Sequence, residues 1–183
     1  MIEQAPSVAR GSIPESPIVS PFSSQVDTAT LTRQDPVTCG LVDSAEELDL
    51  HLRVREEVFV REQRLFQGTD RDSHDDDPST LHVLGLCGRV LGGVVRLYPL
   101  DEPGLWKGDR LAVLPPFRKL ALGAALVRFA VRTAGERGGD LMVAYVQVPN
   151  VKFFEYLGWH RIGEPFEYVG QPHQQMAIQL AKG

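Results

Sequence analysis

Apolar residues recur along this chain with two different spacings, and the changes between them mark out the elements. Val37 to Val42 is a short apolar run that predicts a first strand. Ser44 with Glu47 three residues later forms a capping box, and Leu48, Leu52 and Phe59, with Val54 and Val58 alongside, carry helical spacing to about Arg61. From Gln63 to Ser79 the chain is polar and turn-rich, with Asp70, Asp72, Asp75, Asp76 and Asp77, which predicts a solvated surface connection. Leu81–Cys87 and Val90–Leu97 read as an antiparallel hairpin turning at Gly88 and Arg89, with Gly92 and Gly93 marking a bulge. Asp109 to Leu114 predicts a strand that Pro115 and Pro116 end by removing ladder donors. Leu122, Leu126, Phe129 and Ala130 form a helical stripe stopped by Gly135, Gly138 and Gly139. Leu141 to Val148 is continuously apolar, as a central strand covered on both faces would be. A short helix over Val151–Leu157 ends at Gly158, and Arg161–Val169 with Gln174–Leu180 predicts a last hairpin through Gly170 and Pro172. This order implies one α/β (α+β) domain built on a mixed, mainly antiparallel sheet with helices on both faces.

Residues 1–36 hold Pro6, Pro14, Pro17, Pro21 and Pro36 among many Ser, Thr and Gln, with no sustained apolar period. They read as a flexible tail, leaving 37–183 as the domain. A formal charge of -5 gives no basic field, so nucleic acid is not an expected partner. Cys39 and Cys87 are too few for a disulfide framework, no stretch approaches the length of a membrane span, and the cytoplasm is the default location. Composition leaves a homodimer open.

The candidate chemistry begins at Arg118-Lys119-Leu120-Ala121-Leu122-Gly123-Ala124, where a strand ends and a helix starts. A helix N-terminus offers orphan N–H donors and about half a positive charge, and the two cations add to it, so a pyrophosphate would be well matched. The plainer alternative is a strand-to-helix turn with exposed basic residues. Further on, Asn150 to Trp159 places an Asn before a helix ending Tyr156-Leu157-Gly158-Trp159. Together these segments resemble the GNAT acyltransferase superfamily over about residues 40–181, whose loop motif falls on Arg118, Ala121 and Gly123. Ala121 stands where that family usually has its first glycine. Arg55-Glu56-Glu57-Val58-Phe59-Val60-Arg61-Glu62-Gln63 is similar to a small bacterial subgroup with a Val-Phe-Val-x-Glu-Gln first helix, and this helix with the acidic loop also resembles acyl-homoserine-lactone synthases.

The resemblance implies acetyl-CoA, or another acyl-CoA, as cosubstrate and a small-molecule or amino-group acceptor; no metal is expected, since a calcium loop at Asp70, Asp72 and Asp75 would want an oxygen ligand where His74 stands and a glycine where Asp75 stands. It implies cofactor contacts at Leu111, Ala112 and Val113 on a strand that splays from its neighbour, at Arg118 to Ala124, and at Asn150, Phe153 and Phe154. A backbone N–H near Val113 or Leu114 would stabilise the oxyanion. Phe154 occupies the position of the family's usual Tyr acid and cannot donate a proton. Tyr156 projects about 200° away around the helix. The catalytic candidates are Glu62 first, then His173 as base and Tyr145 as donor. Asp70 and His82 also have the right chemistry for a base, and Arg55 either binds an acceptor carboxylate or pairs with Glu62 or Asp70. The expected activity is N-acetyl transfer to a primary amine by direct attack. Two alternatives stay open: a synthase-like enzyme with a longer acyl donor, and a CoA-binding module without turnover.

Overall fold

The computed structural model describes residues 13, 17–23 and 27–182. Its sheet contains seven strands in the order β1-β2-β3-β4-β5-β7-β6. The strands are β1 (Val37–Leu41), β2 (Leu81–Cys87), β3 (Val90–Pro99), β4 (Leu105–Val113), β5 (Leu141–Gln147), β6 (His160–Tyr168) and β7 (Gln171–Gln179). Neighbours pair antiparallel except β4 and β5, which are parallel and register only over Leu105–Leu141, Trp106–Met142 and Lys107–Val143. Beyond Lys107 the two strands part. The mixed sheet and its helices are as the sequence pattern implies.

The first helix, α1 (Ala45–Arg55), starts where the capping residues place it: Ser44 Oγ accepts from the Glu47 N–H. The Glu47 carboxylate accepts from the Asp43 N–H, one residue earlier than a standard box. The helix then widens to a π-helical turn over Glu56–Glu62, closed by the Gln63 N–H donating to Val58 O. α2 (Leu122–Glu136) and α3 (Val151–Tyr156) complete the set. β4 begins at Leu105 rather than Asp109, because a tight turn brings the Leu100 N–H onto Leu105 O and extends the hairpin with β3.

Side-chain alternation assigns the two faces. Gly85, Gly92 and Gly93 lie under α2, and a Cβ at Gly92 would come within 2.3 Å of the Phe117 ring. The register step from Gly85–Gly93 to Leu86–Leu91 makes Gly92 the bulged residue expected there. The other face carries His82 and Arg96, which meet α1 and the segment after it.

That segment departs from expectation. Asp70 and Asp75 are 3% and 7% exposed, not solvated. Arg55 donates through Nε to Asp70 (2.7 Å) and through Nη1 and Nη2 to Asp75 (2.5 and 2.9 Å), and His82 Nε2 lies 3.2 Å from Asp75. Arg96 joins Asp72 and Asp109, and Arg110 reaches Asp70 and Asp72. Asp70, Asp72 and Asp75 therefore turn inward, because three arginines from α1, β3 and β4 supply buried charge that carboxylates must neutralise, while Asp76 and Asp77 stay exposed as expected. Arg55 is thus committed to Asp70 and Asp75, and His82 to Asp75.

Part of the stretch read as a tail also lies on the domain. Val19 bridges to Val90, Arg53 sits 4.6 Å over the Phe22 ring, and Ile18 packs against the core. Residues 1–12, 14–16 and 24–26 of that stretch lie outside those described. Cys39 and Cys87 are free and buried, and burial pushes their thiols up to about 12 and about 11.

Candidate active site

The parting of β4 and β5 opens a pocket of about 130 Å³ through the sheet. On the α1 face its walls include Phe59, Phe66, Lys107, Tyr145, Tyr168 and His173. Toward α2 and α3 they include Val127, Ala130, Met142, Phe154 and Trp159. Leu111 and Asn150 also line it. Among the expected residues it therefore gathers Leu111, Tyr145, Asn150, Phe154 and His173, together with Trp159 from the end of the Asn150–Trp159 segment, and it adds Lys107 and Tyr168, which no motif marked.

β4 carries a bulge at Arg110, whose φ of 51° falls in the left-handed region, and the register with β3 shifts between Val94 and Arg96. Past the bulge, Val113 and Leu114 differ. Leu114 donates its N–H to Gly92 O at 2.9 Å, so it is not available to an oxyanion. The Val113 carbonyl accepts from Arg118 Nε at 2.9 Å. In an antiparallel ladder a residue's N–H and C=O point the same way, and the pairs alternate between bonded and open. The Val113 N–H therefore faces the gap beside β5.

The loop into α2 has a distinctive geometry. Ala121 caps α2 with φ 62°, the left-handed conformation that glycine adopts without cost. No side chain caps this helix, leaving the first-turn N–H groups of Leu122, Gly123 and Ala124 without an intrahelical partner. A Cβ at Gly123 would meet only Phe153 and Val113 side chains, each at 3.7 Å. The Arg118 and Leu120 N–H groups are already used in turns to Pro115 O and Phe117 O. Lys119 is exposed, whereas the Leu122 and Ala112 side chains are core, at 0% and 1% exposure, and offer only backbone to a ligand.

Two expected groups meet each other. Glu62 accepts from Arg118 Nη1 and Nη2 at 2.7 and 2.5 Å, and this hydrogen bonding holds its carboxyl below the usual range. His173 is 4% exposed, and its Nδ1 lies 2.9 Å from the Gln171 carbonyl. A carbonyl only accepts, so Nδ1 carries the proton and Nε2 of the neutral ring keeps a lone pair. Tyr168 packs edge-on to His173 at 5.3 Å and to Tyr145 at 5.5 Å. Lys107 Nζ sits 4.0 Å from the Tyr145 ring centroid. Phe154 is buried against Trp159 at 5.3 Å, while Tyr156 is 82% exposed and turned away.

Such an arrangement, an uncapped helix N-terminus beside a slot between parted strands, suits a phosphorylated thioester with a long arm. Residues 46–159 match the model of the acetyltransferase (GNAT) family. The chain is 27% identical over 137 residues to the uncharacterised N-acetyltransferase YjcF of Bacillus subtilis, covering 74% of this chain and 95% of that one. It is 38% identical over 63 residues to the isovaleryl-homoserine lactone synthase of Bradyrhizobium diazoefficiens, covering 32% and 28% of the two chains. The crystal structure of Escherichia coli ElaA superposes with a TM-score of 0.69 at 24% identity, over 78% of this chain and 99% of that one. The chain belongs to the GNAT family and is an acyl-CoA-dependent acyltransferase.

Proposed function

We propose that this protein transfers an acetyl group from acetyl-CoA to a primary amine by direct attack. The observation that carries the reading is the slot opened where β4 leaves β5 after Lys107, with donors at one end and an aromatic floor at the other. The first-turn N–H groups of α2 and Lys119 would hold the pyrophosphate. Asn150, Phe153 and Phe154 would flank the arm, and Leu111, Ala112 and Val113 would offer backbone along β4. The amine nitrogen bonds to the acyl carbon, the C–S bond breaks, and sulfur leaves as thiolate. The Val113 N–H stabilises the oxyanion.

For the base, His173 fits better than Glu62. Its Nε2 is an acceptor on the pocket wall, whereas the Glu62 carboxylate is engaged by Arg118 and made less basic. Tyr145, exposed beside the same floor, is the hydroxyl available to protonate sulfur in place of Phe154. A thiol of pKa about 8.5 leaves with modest help, so a missing acid does not abolish transfer.

The similarity to a lactone synthase, with the apolar walls Val127, Ala130 and Met142, favours a second reading in which the donor is a longer acyl-CoA. Thermal-shift titration with CoA, acetyl-CoA and isovaleryl-CoA, followed by thiol release across an amine panel, separates the readings. Release from acetyl-CoA supports the first, and release only from isovaleryl-CoA supports the second. Binding of thioester with no turnover on any amine supports a cofactor-binding module, and no binding at all defeats every one of them.

A further inference from the structure

Three charged residues stand on the pocket wall, Lys107, Asp109 and Arg110, and two are already neutralised. Asp109 accepts from Arg96 Nε and Nη2, both at 2.8 Å, and from the Tyr98 hydroxyl at 3.2 Å. Arg110 is paired with Asp70 and Asp72 at 3.1 and 3.0 Å. Lys107 differs. Among the described residues no carboxylate forms an ion pair with its ammonium, which rests instead on the Tyr145 ring.

The position is informative because β4 chooses it. Lys107 is the last residue paired to β5 before the strands part, so its side chain stands at the apex of the opening. It shares the α1 face with Tyr145, Tyr168 and His173, the floor on which an acceptor would lie. An ammonium half withdrawn from water without an ion-pair partner is costly, and a face-on aromatic ring offsets only part of that cost. Burial correspondingly lowers the Lys107 pKa, the largest influence on it, with Asp109 acting in the opposite sense. A ligand anion would restore what the fold leaves uncompensated.

We propose that the acceptor is an amine that also carries a carboxylate, and that Lys107 binds this carboxylate while the amine faces His173. The proposal rests on the acyltransfer reading and names its acceptor class. Lys107 thereby acts as a specificity determinant: among the described residues the floor has no unpaired carboxylate to favour a polycation, whereas the Lys107 ammonium, without an ion pair, favours an acid.

The test is calorimetric titration of the full chain, with and without saturating CoA, using α- and ω-amino acids and the primary amide of each. At least one acid is expected to bind tenfold or more tightly than its amide. In Lys107→Met, which keeps the stem length without charge, acid and amide converge to within about twofold, and Lys107→Arg restores most of the difference. Retained CoA affinity in both variants reports an intact fold. Absence of any acid-over-amide preference in the wild type overturns the proposal, as does a preference that survives Lys107→Met. A loss in Lys107→Met confined to kcat and its pH profile, with acid and amide still distinguished, also overturns it and makes Lys107 a proton acceptor. Titrations on the CoA-free chain keep the outcome readable if CoA does not bind, a result that would defeat the acyltransfer reading separately.

Discussion

Ala121 shows how one side chain trades stability for position. It holds φ 62° at the N-cap of α2, where a left-handed L-residue costs ~1–2 kcal/mol. Ala121→Gly removes that strain but adds unfolded-chain freedom, so we expect a net gain of about 1 kcal/mol in urea unfolding. A loss of stability would mean that the Ala121 methyl group packs usefully. His51 makes a second residue-scale case. Burial, then His82 and Arg55, hold its pKa well below 6.5, and its Nδ1 has no partner. The unfolded state binds this proton more readily, so stability rises with pH up to about 6.5 and is lost on acidification below it, by at most ~1.4 kcal/mol per pH unit. Urea midpoints at pH 7.5 and 5.5 should fall further for wild type than for His51→Leu. Equal losses would remove His51 from the account. Burial raises and His82, Arg55 and Arg96 more strongly lower the Asp75 carboxyl, whose contribution is lost only below the ordinary carboxylate range, a separate window.

Among the elements, the segment from Gln63 to Thr80 has the largest consequence. It contains only one short helical turn, Ser73–Asp76, yet it carries Leu65 and Phe66 to the pocket wall and is held by ion pairs to α1, β3 and β4. Arg55→Met would leave Asp70 and Asp75 as buried charges short of a partner, and such losses cost about 3–5 kcal/mol. Thermal unfolding measures this, and a change under about 1 kcal/mol would show that Arg96 and Arg110 suffice. The first helix was legible from its capping residues, α2 from its apolar stripe and stop glycines, and the hairpins from apolar runs joined at glycine turns. The inward turn of Asp70, Asp72 and Asp75 was not, since aspartates in a turn-rich stretch look the same whether they face water or arginines from a helix and two distant strands.

At the scale of the whole molecule, the site exists because β4, β5, α2 and α3 meet at one place. Gly123→Asp tests the proposed cofactor end directly. The position has room for a side chain, so the fold should persist, while a carboxylate in the first turn of α2 would oppose a pyrophosphate. The CoA dissociation constant should rise at least tenfold, about 1.4 kcal/mol, in equilibrium titration. An unchanged constant would remove Gly123 from the site. High salt should not rescue the variant, because the repulsion acts at contact distance, within the Debye length.

By itself the sequence determined the order of elements, the place where β4 passes into an α2 start, and the family, since capping residues, periodicity and the Arg118–Gly123 and Asn150–Trp159 segments are local signals read from neighbours in the chain. Only the tertiary structure decided which polar residues face each other. Glu62 met Arg118, Arg55 met Asp70 and Asp75, and Lys107 was left at the apex of the slot without an ion-paired carboxylate among the described residues. The physical reason is that a charge is stabilised or left uncompensated by groups far away in sequence, and nothing in a residue's own neighbours records who those groups will be.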